Sequence, residues 1–141
     1  MKTSLQHITL YNFELSSSKT LDIHLSYQIF GQELFTAPII LVNHALTGNS
    51  NVSGENGWWK TLVGESKIID TNKFTVICFN IPGNGFDGNL LENYEDFKSK
   101  DIAKIFLEGL KLLKSEKLHT IIGGSLGGAI GWEMLAVQND L

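Results

Sequence analysis

Three apolar runs of this chain each end in a glycine-rich stretch, and this pattern restricts the fold more than any other feature. PIILVNHA leads into a polar loop over 44–57, KFTVICFNIP into the segment 82–89, and LHTIIGG into the segment 123–128. Continuous apolar runs of this length are typical of strands that are covered on both faces. Helical patterns follow two of them, over 99–117 and 125–139. This order predicts an α/β fold, in which helices flank a mostly parallel sheet.

The beginning of the chain has a different pattern. TLDIHLSYQIFG, over 20–31, alternates apolar and polar residues with the period of a half-buried strand, so we expect antiparallel strands at one edge of the sheet. GWWKTLVGES, over 57–66, predicts one or two helical turns. In the helix predicted over 99–117, Ser99 is the expected N-cap, and Gly109 indicates close packing on the sheet.

The three glycine-rich stretches all follow predicted strands of the parallel part of the sheet. The carboxyl ends of such strands share one edge of the sheet, where ligands bind in open α/β folds. We therefore expect the segments 44–57, 82–89 and 123–128 to form one cleft.

The sharpest of these turns contains a serine. Gly123-Gly124-Ser125-Leu126-Gly127 matches G-x-S-x-G between a predicted strand and a predicted helix, the context in which this motif exposes a nucleophile. Glycines on both sides let the strand and the helix approach closely. Ser125 is the predicted nucleophile, and the N–H of Leu126 is the first predicted oxyanion donor. A tightly packed turn without catalytic function is the alternative.

A second glycine pattern, Gly83, Gly85 and Gly88 in IPGNGFDG, matches the spacing of a dinucleotide-binding loop. The residues after it, NLLENYEDF, do not open a clean helix at the last glycine, and the preceding strand is not the first of the parallel set. We therefore favour the serine turn as the functional site.

Composition excludes several classes of function. The formal net charge is −4, from 11 basic and 15 acidic residues, and no basic stripe occurs, so neither nucleic acid nor an anionic membrane is an expected partner. Cys78 lies inside an apolar run and is interpreted as a buried small side chain. The N-terminal residues show no pattern of a secretory leader, which favours the cytoplasm.

Three segments together resemble the homoserine O-acetyltransferase family of the α/β-hydrolase superfamily. They are VNHALTGNSNVSGENGWWKTLVGESKIIDTNKFTVICFN, NIPGNGFDG and IIGGSLGGAIGWEMLA, and the resemblance covers roughly residues 39–136. HALTG, GWW with LVG downstream, and GGS-x-GG occur in the family's order and at similar spacing. The fold implied is the N-terminal part of an α/β-hydrolase domain.

The resemblance implies transfer of an acyl group from acyl-coenzyme A, through a serine acyl-enzyme, to the hydroxyl of homoserine in methionine biosynthesis. By motif position, Ser125 is the nucleophile, and Leu46 supplies the second oxyanion N–H beside that of Leu126. His44 is expected to be structural in its loop. Trp58 and Trp59 either line the cleft or belong to the core.

The expected partners of the serine are missing. The superfamily order is Ser, then Asp or Glu, then His, but only Glu133 and Asp140 follow Ser125 among the candidate acids. The four histidines precede it: His7, His24, His44 and His119. We therefore interpret residues 1–141 as the N-terminal part of a single domain that ends before the Asp and His of the triad, and expect little or no turnover from these residues alone.

Two departures from the family leave other functions open. Asn49 stands where the family usually has an acidic residue, and NIPGNGFDG is similar to the P-G-x-G loop of general α/β-hydrolases. An esterase and a non-catalytic remnant therefore remain alternatives. Under each of them, no cofactor and no metal site is expected. The expected partners are small molecules, acyl-coenzyme A and homoserine in the favoured case, and a homodimer stays open.

Overall fold

A computed structural model describes residues 3–141 of the chain. It contains seven strands, two α-helices and one short 3-10 turn. Within the described residues, no helix has the length and apolar character needed to cross a lipid bilayer. In chain order the elements are β1 (Gln6–Glu14), β2 (Thr20–Gly31), β3 (Ile39–Asn43), β4 (Val63–Gly64), β5 (Ile69–Asp70), β6 (Thr75–Phe79), the 3-10 turn (Tyr94–Asp96), α1 (Ser99–Leu112), β7 (Thr120–Gly123) and α2 (Leu126–Val137).

Five strands form the main sheet in the order β1-β2-β6-β3-β7. β3 lies at the centre of the parallel part, with Leu41 opposite Ile77 of β6 and Ile121 of β7. β1 pairs antiparallel with β2, and β2 pairs antiparallel with β6. The predicted α/β class, the parallel strands and the antiparallel edge are therefore all confirmed. β4 and β5 form a separate two-stranded sheet.

The central strands β3 and β6 are buried throughout, as their apolar runs predicted. β7, for which the same was expected, is only partly buried, because it lies at the edge of the sheet. On one face the helices contribute Phe106, Ile130 and Met134, which pack with Leu25 and Phe79 of the strands. The opposite face is covered by the segment between β3 and β6. The buried residues of that second cluster are Phe30, Ile40, Val42, Val52, Val63, Ile69, Val76 and Cys78. Cys78 is fully buried as expected, and burial raises the pKa of its thiol far above the ordinary value.

α1 lies close against the sheet because it has a glycine at the contact. A Cβ atom on Gly109 would come within 2.7 Å of Leu25 Cδ2 and 3.0 Å of the Phe79 ring. Such distances are well inside van der Waals contact, so a larger side chain would push the helix away from the sheet. The expected reason for Gly109 is confirmed.

One local prediction was wrong. Ser99 is the first residue of α1, and the N-cap is Lys98, whose N–H donates to Asp101 Oδ2 at 3.0 Å. The buried Asp101 carboxylate lies within reach of the Lys98 N–H because its other oxygen accepts hydrogen bonds from Ser16. The GWW segment forms a single turn, in agreement with the one or two helical turns expected: Leu62 and Val63 both donate to Trp59 O, and the chain then enters β4.

Candidate active site

The three glycine-rich stretches meet at one edge of the sheet. β3 lies between β6 and β7, and the three strands run parallel, so their carboxyl ends lie side by side. Contacts between the first two stretches support this arrangement: Ile81 N–H donates to His44 Nε2 at 3.0 Å, and Asn84 Nδ2 donates to Gly48 O at 3.4 Å. The third stretch joins them at Gly127, which lies against His44 O. The predicted convergence of the loops is confirmed.

Ser125 lies at the tip of the turn between β7 and α2, with φ +53° and ψ −120°. A non-glycine residue in this region costs roughly 1–3 kcal/mol and persists only where the surroundings impose it. The Ser125 side chain is exposed, and α2 begins at the next residue. The N-terminus of a helix has free N–H groups and a partial positive charge. The N–H groups of Gly127, Gly128 and Ala129 donate to carbonyls of Gly124 and Ser125, so the turn presents the Ser125 hydroxyl beside the free N–H of Leu126 at the positive end of the helix.

Close packing of strand and helix imposes this conformation. A Cβ atom on Gly127 would lie 2.7 Å from His44 O and closer still to Asn43 O. A Cβ atom on Gly123 would overlap the backbone of Gly127. The two outer glycines of G-x-S-x-G are thus required by space, as the motif predicted.

Both predicted oxyanion donors have a free N–H group: Leu126 directly follows the serine, and Leu46 comes two residues after His44, whose carbonyl oxygen lies against Gly127. Among the hydrogen bonds within residues 3–141, none uses the N–H of Leu46 or that of Leu126. Leu46 lies in a turn closed by the Gly48 N–H, which donates to Ala45 O at 2.8 Å, and its side chain is exposed. Their assignment as oxyanion donors stays a prediction, since it depends on where the substrate oxygen lies.

His44 is part of the loop framework. Its Nε2 accepts the Ile81 N–H, so its Nδ1 must have the proton, which it donates to Ala45 O at 2.6 Å. The ring is buried, and burial lowers the pKa of the imidazole below its ordinary value, partly opposed by the bond to Ala45. Both nitrogens of the neutral ring are occupied, so the geometry agrees with the structural role expected for His44.

A buried polar cluster lies next to this loop. Asn80 directly follows β6, and its Oδ1 accepts the Ser50 N–H at 2.7 Å and the Asn84 Nδ2 at 3.1 Å. Its Nδ2 donates to Ser26 Oγ at 2.9 Å and to Ser50 Oγ at 3.1 Å. Ser50 Oγ in turn donates to Gln28 Oε1 at 2.8 Å. The sequence patterns did not single out Asn80; its place directly after a buried strand, ahead of a glycine-rich loop, was the available clue.

The two adjacent tryptophans lie beside the serine turn. A Cβ atom on Gly124 would meet the Trp59 ring at 3.8 Å, and the rings of Trp59 and Trp58 have centroids 4.6 Å apart. Trp58 Nε1 donates to Asn49 O at 2.8 Å. Trp59 also packs against the second core cluster. Both expected roles therefore apply to Trp59, which is at once a core residue and a neighbour of the serine turn.

Neither acid that follows Ser125 is placed to complete a triad. Glu133 accepts a hydrogen bond from Ser99 of α1 at 3.4 Å, and Asp140 lies 3.6 Å from Lys117.

The histidines other than His44 also lie away from Ser125, and two of them contact residues elsewhere in the fold. His24 bonds Thr9 on the strand next to it, and the His119 ring packs against Phe74 before β7 begins. His7 lies on β1, at the opposite edge of the sheet. Within residues 3–141, Ser125 has no hydrogen-bonded base.

The glycines of the Gly83–Gly85–Gly88 pattern lie in a loop rather than at the start of a helix. All three glycines have positive φ, from +76° to +84°, and the next α-helix begins only at Ser99. A dinucleotide loop requires a helix that opens within the motif. The preference for the serine turn over this pattern is therefore supported.

A cavity of about 690 Å³ lies elsewhere, between β2 and the segment after β3. Ser125 is not among its lining residues, which include Phe30, Ser53, Lys60 and Thr71. We place the candidate active site at Ser125, because the strained nucleophile and the free N–H of Leu126 coincide there.

Several known proteins are similar to this chain. It is 39% identical to the homoserine O-acetyltransferase of Methanobrevibacter ruminantium, over 84% of this chain and 29% of that enzyme. It is 36% identical to the same enzyme of Methanococcus vannielii, over 90% of this chain and 30% of that enzyme. It is 32% identical to the enzyme of Corynebacterium diphtheriae, over 96% of this chain and 39% of that enzyme. The chain thus spans about a third of the length of these curated relatives, and the resemblance inferred from HALTG and GGS-x-GG is confirmed.

Solved structures share the fold. The homoserine O-acetyltransferase from Bacillus anthracis matches with a TM-score of 0.81 at 23% identity, over 99% of this chain and 44% of that chain. Esterase E22 matches with a TM-score of 0.83 at 19% identity, over 99% of this chain and 45% of that chain. Residues 38–141 match the family described as alpha/beta hydrolase fold. With its parallel sheet, its serine turn and this match over most of its length, the chain belongs to the alpha/beta hydrolase fold family.

Proposed function

We propose that this chain forms the nucleophile-bearing part of an acyltransferase that moves an acyl group from acyl-coenzyme A to the hydroxyl of homoserine. The supporting observation is Ser125, held at φ +53° between β7 and α2. The identity of 32–39% to homoserine O-acetyltransferases indicates which reaction such a serine performs. The proposed setting is methionine biosynthesis in the cytoplasm, with small-molecule substrates and no resident cofactor.

The chemistry has two symmetric halves. Ser125 Oγ gives its proton to a base and attacks the thioester carbonyl carbon. The C–S bond then breaks, coenzyme A leaves as the thiol with that proton, and an acyl-serine remains. The homoserine hydroxyl then attacks that ester, and Ser125 leaves with its proton restored. Each half passes through a tetrahedral oxyanion, which the N–H groups of Leu46 and Leu126 would stabilise. One such donor is worth about 10²–10³-fold in kcat.

Proton transfer requires a base that we expect from outside residues 3–141. A serine hydroxyl is a weak nucleophile until a base takes its proton. The described histidines lie away from Ser125 or, in the case of His44, have both ring nitrogens occupied. The curated relatives are about three times as long as the matched segment, which leaves room for the Asp and His of a triad.

An esterase is the second candidate, and the loop at Pro82–Asn89 favours it. This loop is similar to the P-G-x-G loop of general α/β-hydrolases. Both candidates form the same acyl-serine and differ in what attacks it next. The partition of the acyl-enzyme between water and homoserine therefore distinguishes them.

The test uses the protein expressed from its complete reading frame. Acetyl-coenzyme A is added with and without homoserine, release of the free thiol is followed, and intact-mass spectrometry locates the acetyl group. We expect an acetyl adduct on Ser125 that homoserine discharges as O-acetylhomoserine. Ser125→Ala should abolish the adduct and lower kcat by about 10⁴-fold or more.

Ser66→Ala is the matched control. Ser66 is also an exposed serine with positive φ, +55°, but it lies in the turn between β4 and β5. This variant should react like wild type. An adduct that persists in Ser125→Ala contradicts the proposed nucleophile, whereas hydrolysis without transfer to homoserine favours the esterase.

A further inference from the structure

The loop that contains Leu46 is held by buried polar groups on both sides of that residue. Before Leu46, the His44 ring links Ala45 O to the N–H of Ile81. After it, the N–H of Ser50 donates to Asn80 Oδ1 at 2.7 Å. Both contacts reach the chain just after β6. The turn at Leu46 therefore lies between two fixed points on the neighbouring strand end.

Asn80 is the residue that makes the second of these contacts. Its side chain is 2% exposed and is bonded on both of its polar atoms. Its backbone N–H also donates to Ser26 O at 2.8 Å, which holds Asn80 itself to β2. A buried side chain with all its bonds made has little freedom to shift. Its position thus sets where Ser50, and the loop before it, can lie.

We propose that Asn80 is a positioning residue for acyl transfer, because its bond to the Ser50 N–H holds the Leu46 N–H in place beside Ser125. This inference rests on the proposed function. Asn80 itself touches no reacting atom. Its effect arises because an oxyanion donor is useful only at the correct distance and angle, and a displacement of about 1 Å can cost about 10²-fold in rate.

The side-chain chemistry provides a discriminating pair of variants. Asn80→Leu keeps the branched shape and the number of side-chain heavy atoms but removes the acceptor for the Ser50 N–H. Asn80→Asp keeps an acceptor oxygen at that position, and the hydroxyl of Ser26 can rotate to donate to its second oxygen. A role in positioning therefore predicts that Asn80→Asp restores most of what Asn80→Leu loses.

The control separates positioning from stability. Asp101 is also a buried side chain with several bonds, to Ser16 and Lys98, but it lies at the start of α1. Asp101→Leu should destabilise the protein to a similar degree and leave kcat unchanged. Thermal denaturation of each variant measures how well the two losses of stability match.

The experiment measures kcat and KM for acetyl-coenzyme A in the protein from its complete reading frame, with hydrogen exchange of the peptides that cover 44–50 and 99–112. We expect Asn80→Leu to lower kcat about 10- to 100-fold with KM nearly unchanged, and to speed exchange in 44–50 only. Asp101→Leu should speed exchange in 99–112 only.

Two results would overturn the inference without touching the proposed function. One is an Asn80→Leu variant that keeps its kcat in a protein whose wild type forms the Ser125 adduct. The other is a fall in kcat that Asp101→Leu reproduces. A wild type that forms no adduct on Ser125 overturns the proposed function and this role together.

Discussion

At the scale of single residues, His44 shows how a buried imidazole can stabilise a loop only in its neutral form. Its Nε2 must lack a proton to accept the Ile81 N–H, and burial lowers the pKa of the ring below its ordinary 6.5. A lowered folded-state pKa means that the unfolded chain binds the proton more tightly. The stability due to His44 is therefore complete above pH 6.5 and is lost as the pH falls through the folded-state pKa.

The corresponding prediction concerns unfolding between pH 7.5 and 5. We expect the free energy of unfolding of the wild type to decrease below about pH 6.5, with a slope from this group of at most about 1.4 kcal/mol per pH unit. His44→Gln should be less stable at pH 7.5 and should lack this part of the slope. Urea denaturation at each pH measures it, and an identical slope in the variant would contradict the assignment to His44.

Ser125 was predictable from a local sequence pattern, whereas the buried hydrogen bonds that hold the neighbouring loop were not. G-x-S-x-G with a strand before it and a helix after it is a local pattern, so it placed Ser125 at the turn. Asn80 has bonded partners 54 and 30 residues away in the chain, Ser26 and Ser50. A network of that kind depends on the order of the strands in the sheet, which local periodicity does not determine.

At the scale of elements, the packing of α2 on β3 separates glycines that look equivalent in the sequence. We predict that Gly127→Ala costs about 1–3 kcal/mol or more, since its Cβ would overlap the backbone at Asn43 and His44, which cannot move away freely. Gly124→Ala should change stability by no more than about 0.5 kcal/mol, because its Cβ would meet Trp59 at an ordinary 3.8 Å. Thermal and urea denaturation of the two variants measure the difference. Equal losses would show that the strand and helix are not in the contact described.

The elements themselves followed well from the sequence where their cause was local. The apolar runs identified β3, β6 and β7, and the apolar stripe identified α1. Distant residues determined the details that local patterns could not predict, namely the N-cap of α1 and the point where the GWW turn ends. The N-cap of α1 shifts to Lys98 because Asp101 is held by Ser16, which is 85 residues away in the chain. The GWW turn stops after one turn because the chain pairs with β5 instead.

At the scale of the whole molecule, the serine turn lies at an edge of the sheet. β7 follows β3 as the last strand in the order, so within residues 3–141 its outer edge has no partner strand. The helix beside it also exposes apolar side chains, with Trp132 77% exposed. Unpaired strand edges next to apolar surface promote association with another chain.

We therefore predict that the 141-residue chain self-associates through β7 and α2. Its weight-average mass in sedimentation experiments should rise with protein concentration, and Trp132→Lys should hold it nearer to that of the monomer, because a charge in the contact must lose its hydration. Ile68→Lys is the matched control, since Ile68 is equally exposed, at 83%, but lies between β4 and β5. This variant should associate like wild type. A monomer mass for all three proteins at every concentration would show that the edge is protected, and an equal effect of both lysines would assign the association to net charge rather than to this surface.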